Sequence, residues 1–230
     1  MTLMNAVMCD AISEDIGSVS MREVELPEPG PGEVRVRLKA CAVNFPDLLM
    51  IQGKYQFKPP LPFAPGGEAA GDVEACGPGV SVKEGDAVVV SMRYGGFAEA
   101  VVVAESQLKP LPKGMDYAKA ASYQTAYLTA YVALYRRGLL QAGEHLLVHG
   151  ATGGVGMAAV DLGKHFGAQV IGTGGRDDKL AVVKSRGADH VINYTQADGS
   201  LGGFRDQVKA LTEGKGADVV YDPVGGDVFD

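Results

Sequence analysis

The stretch His145-Leu-Leu-Val-His-Gly-Ala-Thr-Gly-Gly-Val-Gly156 decides the fold of the second half of the chain. It predicts an apolar strand over 145–149, a glycine-rich turn, and an amphipathic helix over 154–166. The residues that would share one face of this helix are Val155, Ala159, Leu162 and Phe166. Free N–H groups at such a helix start can bind the phosphates of a dinucleotide.

Strand and helix patterns alternate after this stretch. Strands are predicted over 169–173, 190–193 and 217–222, and helices over 177–186 and 201–212. This alternation predicts parallel strands joined by right-handed crossovers, in a doubly wound sheet. A dinucleotide-binding sheet of this kind has six strands. Because the alternation stops at Asp230 after the fourth strand, we expect a Rossmann domain at 125–230 that is truncated at its C-terminal end.

The first half of the chain has a β-rich pattern. Val34–Leu38 alternates apolar and charged residues, and Ala87–Val90 and Ala100–Val103 are short β-branched runs. Turns are predicted at Pro29–Gly32, Gly77–Gly79, Glu84–Asp86 and Gly95–Gly96. We expect a mostly antiparallel, barrel-like domain at 1–124, with one or two helices predicted over 117–140.

Composition narrows the class of partner. The net charge of -7 disfavours binding to nucleic acid and to anionic membrane surfaces. No stretch approaches the roughly 20 apolar residues of a membrane span. Cys9, Cys41 and Cys76 are few, odd in number and widely spaced, which fits neither a disulfide framework nor a metal cluster. Reduced thiols, no secretory signal and a cytoplasmic location are expected.

The glycine-rich turn and the strand after it indicate which cofactor is bound. The first glycine of the usual G-x-G-x-x-G pattern is Ala151 here. An NAD site places Asp or Glu about 20 residues further on, whereas Thr173–Gly175 contains no carboxylate. Arg176 and Lys179 can neutralise a 2′-phosphate, so NADPH is favoured, although Asp177 and Asp178 complicate this unless they cap the next helix. The candidate cofactor-binding residues of the turn are Ala151, Gly153, Gly154, Val155 and Gly156. The alternative is a tight turn that binds no ligand.

Four motifs together carry a family resemblance: Asn44–Asp47, Gly66–Gly71, Gln124–Tyr131 and Ala151–Gly156. With them the chain resembles the medium-chain dehydrogenase/reductase superfamily, and within it the zinc-free quinone oxidoreductase, or zeta-crystallin-like, group. The similarity runs from about residue 20 to Asp230. It implies an α/β protein with a GroES-like β-rich catalytic domain followed by a Rossmann domain with a doubly wound parallel sheet.

The resemblance also implies roles for individual residues. The residues that would line the nicotinamide and substrate pocket are Asn44, Asp47 and Tyr55. Thr129 would contact the nicotinamide side, and Val224 would lie near the nicotinamide ribose. The residues that would bind the adenosine phosphate are Gly175, Lys179 and Tyr194. Structural alternatives remain: Asn44 and Asp47 could cap a helix, and Tyr55 could belong to the core. His149 is expected to be a packed, hydrogen-bonded histidine.

Zinc-dependent members of the superfamily carry a Cys and a His at two positions that differ here. Asn44 stands in place of the Cys and Gly67 in place of the His. Because a catalytic zinc needs three protein ligands, we expect no metal. The expected activity is NADPH-dependent hydride transfer to a quinone or an α,β-unsaturated carbonyl, by a protein that is a homodimer when complete. The alternatives are reduction of an acryloyl-CoA-type thioester and a catalytically silent nucleotide-binding protein.

Overall fold

The computed structural model describes residues 2–195, 199–200 and 202–226. Contacts divide the chain into two compact units, Met1–Gln124 and Thr125–Asp230. No helix among the described residues has the length and apolar content needed to cross a membrane.

The first unit is built mainly of antiparallel strands. Its elements are β1 (Leu3–Cys9), β2 (Val19–Glu25), β3 (Glu33–Cys41), α1 (Phe45–Ile51), β4 (Glu68–Cys76), β5 (Ala87–Ser91), β6 (Ala100–Ala104), a 3₁₀ turn (Glu105–Gln107), β7 (Leu108–Pro110) and α2 (Tyr117–Ser122). β1 pairs with β2, and the other strands form a sheet in the order β6-β3-β4-β5-β7. This is the GroES-like unit that the resemblance implies.

Strand β3 illustrates why this sequence forms a sheet. Val34 and Val36 are fully buried, and the charged residues between and after them lie on the other face. On that face, Arg35 and Arg37 both donate to Glu74 of β4, with N···O distances of 2.7–2.9 Å. The period of two therefore separates an apolar core face from a cross-strand ion-pair face.

The second unit alternates strands and helices. Its elements are α3 (Gln124–Tyr131), which begins at the boundary, a π-helical segment (Val132–Arg137), β8 (His145–Val148), α4 (Gly154–His165), β9 (Gln169–Gly174), α5 (Asp177–Ser185), β10 (His190–Asn193), α6 (Phe204–Leu211) and β11 (Val219–Tyr221). All strand pairs are parallel, in the order β10-β9-β8-β11. The predicted doubly wound sheet is confirmed.

The strand order fixes where a ligand can bind. The chain moves from β8 outward to β9 and β10, and then returns to place β11 on the other side of β8. In open parallel sheets, ligands bind outside the carboxyl ends of the strands at the point where the order reverses. That point lies between β8 and β11, and the glycine-rich turn directly follows β8.

Several details differ from the expectations. The 117–140 region contains three helical pieces rather than one or two, because the helix breaks near Tyr123 and continues in π-helical form after Tyr131. Helix α6 begins at Phe204 rather than at Leu201, which itself lies outside the described residues. Its N-cap is Gly203, which has a φ of 72°, in the left-handed region that favours glycine.

Candidate functional site

The glycine-rich turn crosses from β8 to α4 with its backbone packed tightly. A Cβ on Gly156 would lie 2.2 Å from the carbonyl oxygen of Gly150, so only glycine fits there. A Cβ on Gly154, in contrast, would meet nothing within 4 Å. Gly153 and Gly154 are exposed. The turn is thus closed on the side of the sheet and open toward solvent.

The open side presents hydrogen-bond donors. Helix α4 starts at Gly154, and its first intrahelical bond joins Met157 N to Gly153 O at 2.8 Å. The amides of Gly154–Gly156 therefore have no partner within the helix and lie at the positive end of its dipole. Ala151 differs from them, because its amide donates to the carbonyl of Thr173 at 2.9 Å and its side chain is buried. These residues fit a pyrophosphate, with Ala151 holding the turn against β9.

The end of β9 carries the cationic residues. Arg176 and Lys179 are exposed, and Arg176 forms a bidentate ion pair with Asp178, at 3.0 Å and 2.7 Å. Asp177 accepts instead from the side chain of Asn193, at 2.7 Å. Neither aspartate caps α5, since its N-cap is Arg176 without a side-chain cap bond. Both carboxylates are thus engaged by protein groups.

Tyr194 lies beside the same strand end. A Cβ on Gly175 would come within 3.2 Å of the Tyr194 ring, and the Tyr194 amide donates to Gly174 O at 3.1 Å. The structure therefore brings Gly175, Arg176 and Tyr194 together at the carboxyl end of β9, one strand away from the glycine-rich turn. Lys179 lies in the first turn of α5 and is exposed.

The loop after β11 closes the other side of the turn. The His149 amide donates to Tyr221 O at 2.9 Å, and the Val224 side chain lies 2.6 Å from where a Cβ on Gly150 would be. His149 is buried, with Nδ1 at 2.9 Å from Thr173 Oγ1, which confirms its interpretation as a packed, hydrogen-bonded histidine. Burial lowers the pKa of this imidazole, although Asp222 opposes the shift.

The first unit holds a second group of polar residues, which we call the buried polar cluster: the predicted Asn44 and Asp47, together with Glu68. Asp47 is 2% exposed, and its two oxygens accept from the amides of Asn44 at 2.7 Å and Gly66 at 3.0 Å. The Asn44 side-chain amide donates to Glu68 at 3.0 Å. Asp47 thus ties the start of α1 to the loop before β4, as the capping alternative anticipated in part.

Burial raises the pKa of two groups in this region. For Asp47 the main cause is desolvation, which the amides of Asn44 and Gly66 oppose and the nearby Glu68 reinforces. The Cys41 thiol donates to the Glu68 carbonyl at 3.1 Å. Burial, together with the charges of Asp47 and Glu68, raises the pKa of Cys41 to about 12. Both shifts favour the protonated forms of these two groups.

Tyr55 and Thr129 have fewer contacts. Tyr55 is half-buried against an apolar cluster that includes Cys9, Met50 and Phe63, which agrees with the core alternative for its ring. Thr129 is exposed on α3. The roles proposed for these two side chains rest on the family resemblance.

The donor set at the zinc position does not fit a metal. Gly67 has no side chain, and Asn44 donates its amide to a carboxylate instead of offering a thiolate. Zinc prefers Cys, His and carboxylate ligands in a tetrahedral set. Across the described residues, no three His, Cys, Asp or Glu side chains are grouped to hold a metal ion.

Glu68 is a site residue that the sequence analysis did not select. It is 2% exposed at the start of β4 and binds Asn44. One feature of the sequence could have indicated it. Glu68 is an ionisable residue that directly precedes the small apolar residues Ala69 and Ala70, and a carboxylate that is buried among such residues needs a hydrogen-bond partner.

Two family profiles match the chain, one on each unit. "Alcohol dehydrogenase GroES-like domain" matches residues 30–113, and "Zinc-binding dehydrogenase" matches residues 154–230. A GroES-like domain followed by a nucleotide-binding domain defines a class of dehydrogenases and reductases. The chain belongs to the medium-chain dehydrogenase/reductase family.

Individual relatives agree with this assignment. The chain is 40% identical over 227 residues to "Quinone oxidoreductase-like protein 2 homolog" of Nematostella vectensis, covering 97% of this chain and 60% of the relative. It is 44% identical over 202 residues to "Synaptic vesicle membrane protein VAT-1 homolog" of Homo sapiens, covering 87% of this chain and 50% of the relative. The chain thus spans half to three fifths of the length of these two curated relatives.

A solved structure of a mycobacterial protein "complexed with NADPH" is also similar. It superposes with a TM-score of 0.86 at 33% identity and covers 98% of this chain and 69% of that one. The fold of this chain is therefore shared with a protein that binds a nicotinamide cofactor.

Proposed function

We propose that the protein containing this chain is an NADPH-dependent oxidoreductase that transfers hydride, without a metal, to a quinone or an α,β-unsaturated carbonyl. The observation that carries the proposal is the turn after β8, where Gly154 opens to solvent and the amides of Gly154–Gly156 face outward at the switch point of the sheet. When bound, NADPH supplies the hydride from its nicotinamide ring.

The protein's own residues bind and select the cofactor in this proposal. The amides of Gly154–Gly156 hold the pyrophosphate, with Gly153 allowing its close approach. Arg176 and Lys179 neutralise the 2′-phosphate, and the Tyr194 ring lies beside Gly175 at the adenosine end. An arginine has five N–H donors, so Arg176 can keep its bond to Asp178 and still bind a phosphate oxygen.

In this proposal, polar residues of the first unit donate hydrogen bonds to the acceptor or position the donors. The acceptor gains a hydride and a proton, and negative charge develops on its oxygen during transfer, which hydrogen-bond donors stabilise. Asn44 uses one N–H of its side chain on Glu68 and has a second to offer. The Tyr55 hydroxyl is the other proposed donor. Asp47, with both oxygens occupied by backbone amides, is a positioning residue.

The test is oxidation of NADPH and NADH by purified protein with a simple quinone and an enone, with and without a chelator. We expect chelator-insensitive turnover that prefers NADPH. Activity that requires added zinc would overturn the metal-free mechanism. Turnover with an acyl-CoA thioester alone would support the reductase alternative, and NADPH binding without turnover of any acceptor would support the silent nucleotide-binding alternative.

The cofactor preference has its own variants. Arg176→Ala and Lys179→Ala should each weaken NADPH binding, by about tenfold for a charge-assisted phosphate contact. NADH binding should change little, because NADH lacks the 2′-phosphate. Arg186→Ala removes the same charge at the C-terminal end of α5, at the opposite edge of the sheet, and serves as the control. Equal losses for the two cofactors would contradict the assignment.

Assembly and location complete the proposal. We propose a cytoplasmic location, supported by the free thiols of Cys9, Cys41 and Cys76. We also propose a homodimer, which rests on the family resemblance. Light scattering of the purified protein tests the homodimer, and a fluorescent fusion in cells tests the location.

A further inference from the structure

The segment between β5 and β6 lies against the loop that precedes β4. Met92 N donates to Gly67 O at 2.9 Å, and Gly96 N donates to Gly66 O at 3.0 Å. Gly66 in turn donates its own amide to Asp47 of the buried polar cluster. Residues 92–96 are therefore separated from that cluster by a single layer of backbone.

This segment carries a cation and a ring that pack on a ring from the loop after α1. Arg93 lies over the face of Phe57, with Cζ 4.7 Å from the ring centroid. The Phe57 and Tyr94 rings stack with centroids 6.0 Å apart and planes 24° apart. The Phe63 and Tyr94 rings pack edge to face, with centroids 6.1 Å apart. We call Arg93, Phe57 and Tyr94 the Arg93 group.

The Arg93 group is accessible and its charge is not neutralised. Arg93 is exposed, and 36% of Tyr94 is exposed. Within the described part of the chain, no carboxylate lies within ion-pairing distance of Arg93. The chain as a whole has a net charge of -7, so this cation on an aromatic face is a local positive site on an acidic protein.

The chemistry of the group selects a kind of ligand. An exposed tyrosine ring offers a flat surface for a conjugated system, with a preference for offset stacking. The Arg93 guanidinium, which packs on the same Phe57 ring as Tyr94, offers two parallel N–H donors to a carboxylate or sulfonate. A planar acceptor with a negative substituent satisfies both groups at once, whereas a neutral acceptor satisfies only the ring.

We propose that the Arg93 group is a binding site for planar conjugated acceptors that carry a negative group, with the conjugated system on Tyr94 and the anion on Arg93. This inference rests on the proposed function, and it names the subclass of quinones and unsaturated carbonyls that the protein prefers. Arg93 acts as a specificity residue in binding, outside the polar cluster.

Matched ligands and variants test the site. A naphthoquinone sulfonate and a neutral naphthoquinone are compared by equilibrium dialysis and as acceptors in NADPH oxidation. Arg93→Ala should weaken binding of the sulfonate and raise its KM about fivefold, the upper range of an exposed ion pair, with kcat unchanged. The neutral quinone should change less than twofold. Arg93→Lys should restore part of the loss, and Tyr94→Leu should weaken both ligands.

Lys83→Ala is the control, because it removes one positive charge from the exposed turn between β4 and β5. If Lys83→Ala and Arg93→Ala weakened sulfonate binding equally, Arg93 would act only by long-range electrostatic attraction, and the proposed site would be overturned. Unchanged sulfonate binding in Arg93→Ala would overturn it as well. Equilibrium dialysis measures ligand binding at the Arg93 group without any turnover. Absence of turnover in the parent protein would therefore refute the proposed function without deciding whether the Arg93 group binds the sulfonate.

Discussion

At the scale of single residues, two glycines two positions apart in the same turn have opposite surroundings. Gly156 faces the carbonyl of Gly150, and Gly154 faces open space. Gly156→Ala should therefore destabilise the protein, by roughly 1–3 kcal/mol for a side chain forced against backbone. Gly154→Ala should leave stability unchanged or slightly higher, because alanine favours the helix, and should weaken NADPH binding.

Chemical denaturation of both variants and NADPH titration check this contrast. The Gly154 variant is its own folding control, because a loss of binding without a loss of stability isolates the phosphate contact. Tight NADPH binding by the Gly154 variant would contradict a pyrophosphate on the open side of the turn.

At the scale of elements, one hydrogen bond joins α3 to α4. The Tyr127 hydroxyl donates to Asp161 at 2.5 Å, and burial, with help from this carboxylate, raises the pKa of Tyr127 to about 12. Tyr127→Phe should lower the free energy of unfolding by about 1 kcal/mol, since a partly buried carboxylate loses a donor. Tyr135→Phe, in the neighbouring stack of Tyr131, Tyr135 and Phe166, should change it by less than about 0.5 kcal/mol. Denaturant titration compares the two.

A second link between elements depends on pH. Asp189 accepts from Lys164 at 2.7 Å and from the Val170 amide at 2.6 Å, which joins α4, β9 and the start of β10. Burial alone would raise the pKa of Asp189, but these donors lower it below its usual value of 3.8. Its contribution is therefore present above about pH 4 and is lost as pH falls through the lowered value.

The variant Asp189→Asn should accordingly be less stable than the parent protein at neutral pH, and the difference should shrink toward pH 3. Asp206→Asn on the exposed face of α6 is the control. Thermal unfolding across this pH range provides the measurement. A difference that stays constant with pH would mean that the carboxylate charge is not what stabilises the link.

Sequence patterns predicted the elements of the second unit better than those of the first. The sequence analysis located all four strands, β8, β9, β10 and β11. Each is a short apolar run, and the helices between them show the different, 3.6-residue period of an amphipathic helix. β4 was not predicted, since its Glu-Ala-Ala-Gly start lacks the β-branched residues that mark strands. Glycine is needed there because a Cβ on Gly71 would lie 2.1 Å from Arg37 O on the paired strand.

The site was predictable only in part, for a similar reason. The glycine-rich turn is contiguous in sequence, so its pattern shows directly. Contacts such as Asn44 with Glu68, or Arg93 with Phe57, join residues far apart along the chain, and no local period encodes them. The engagement of Asp177 and Asp178 by neighbours likewise became visible only from the packing of α5.

At the scale of the whole molecule, cofactor binding and folding are linked. A ligand at one hundred times its dissociation constant stabilises the folded state by about 2.7 kcal/mol. NADPH should therefore raise the thermal midpoint of the protein by several degrees, and added zinc or a chelator should not. In hydrogen exchange, NADPH should protect amides near 150–156 and 173–179 first. Protection confined to the first unit would contradict the proposed cofactor site.

The protonated state of Cys41 affects how easily electrophiles can modify the protein covalently. Quinones and enones are electrophiles that alkylate thiolates, and a thiol is inert toward them until it ionises. With a pKa of about 12, roughly one Cys41 in a hundred thousand is a thiolate at pH 7. The thiol that contacts Glu68 is thereby shielded from covalent damage by the compounds that the protein is proposed to reduce.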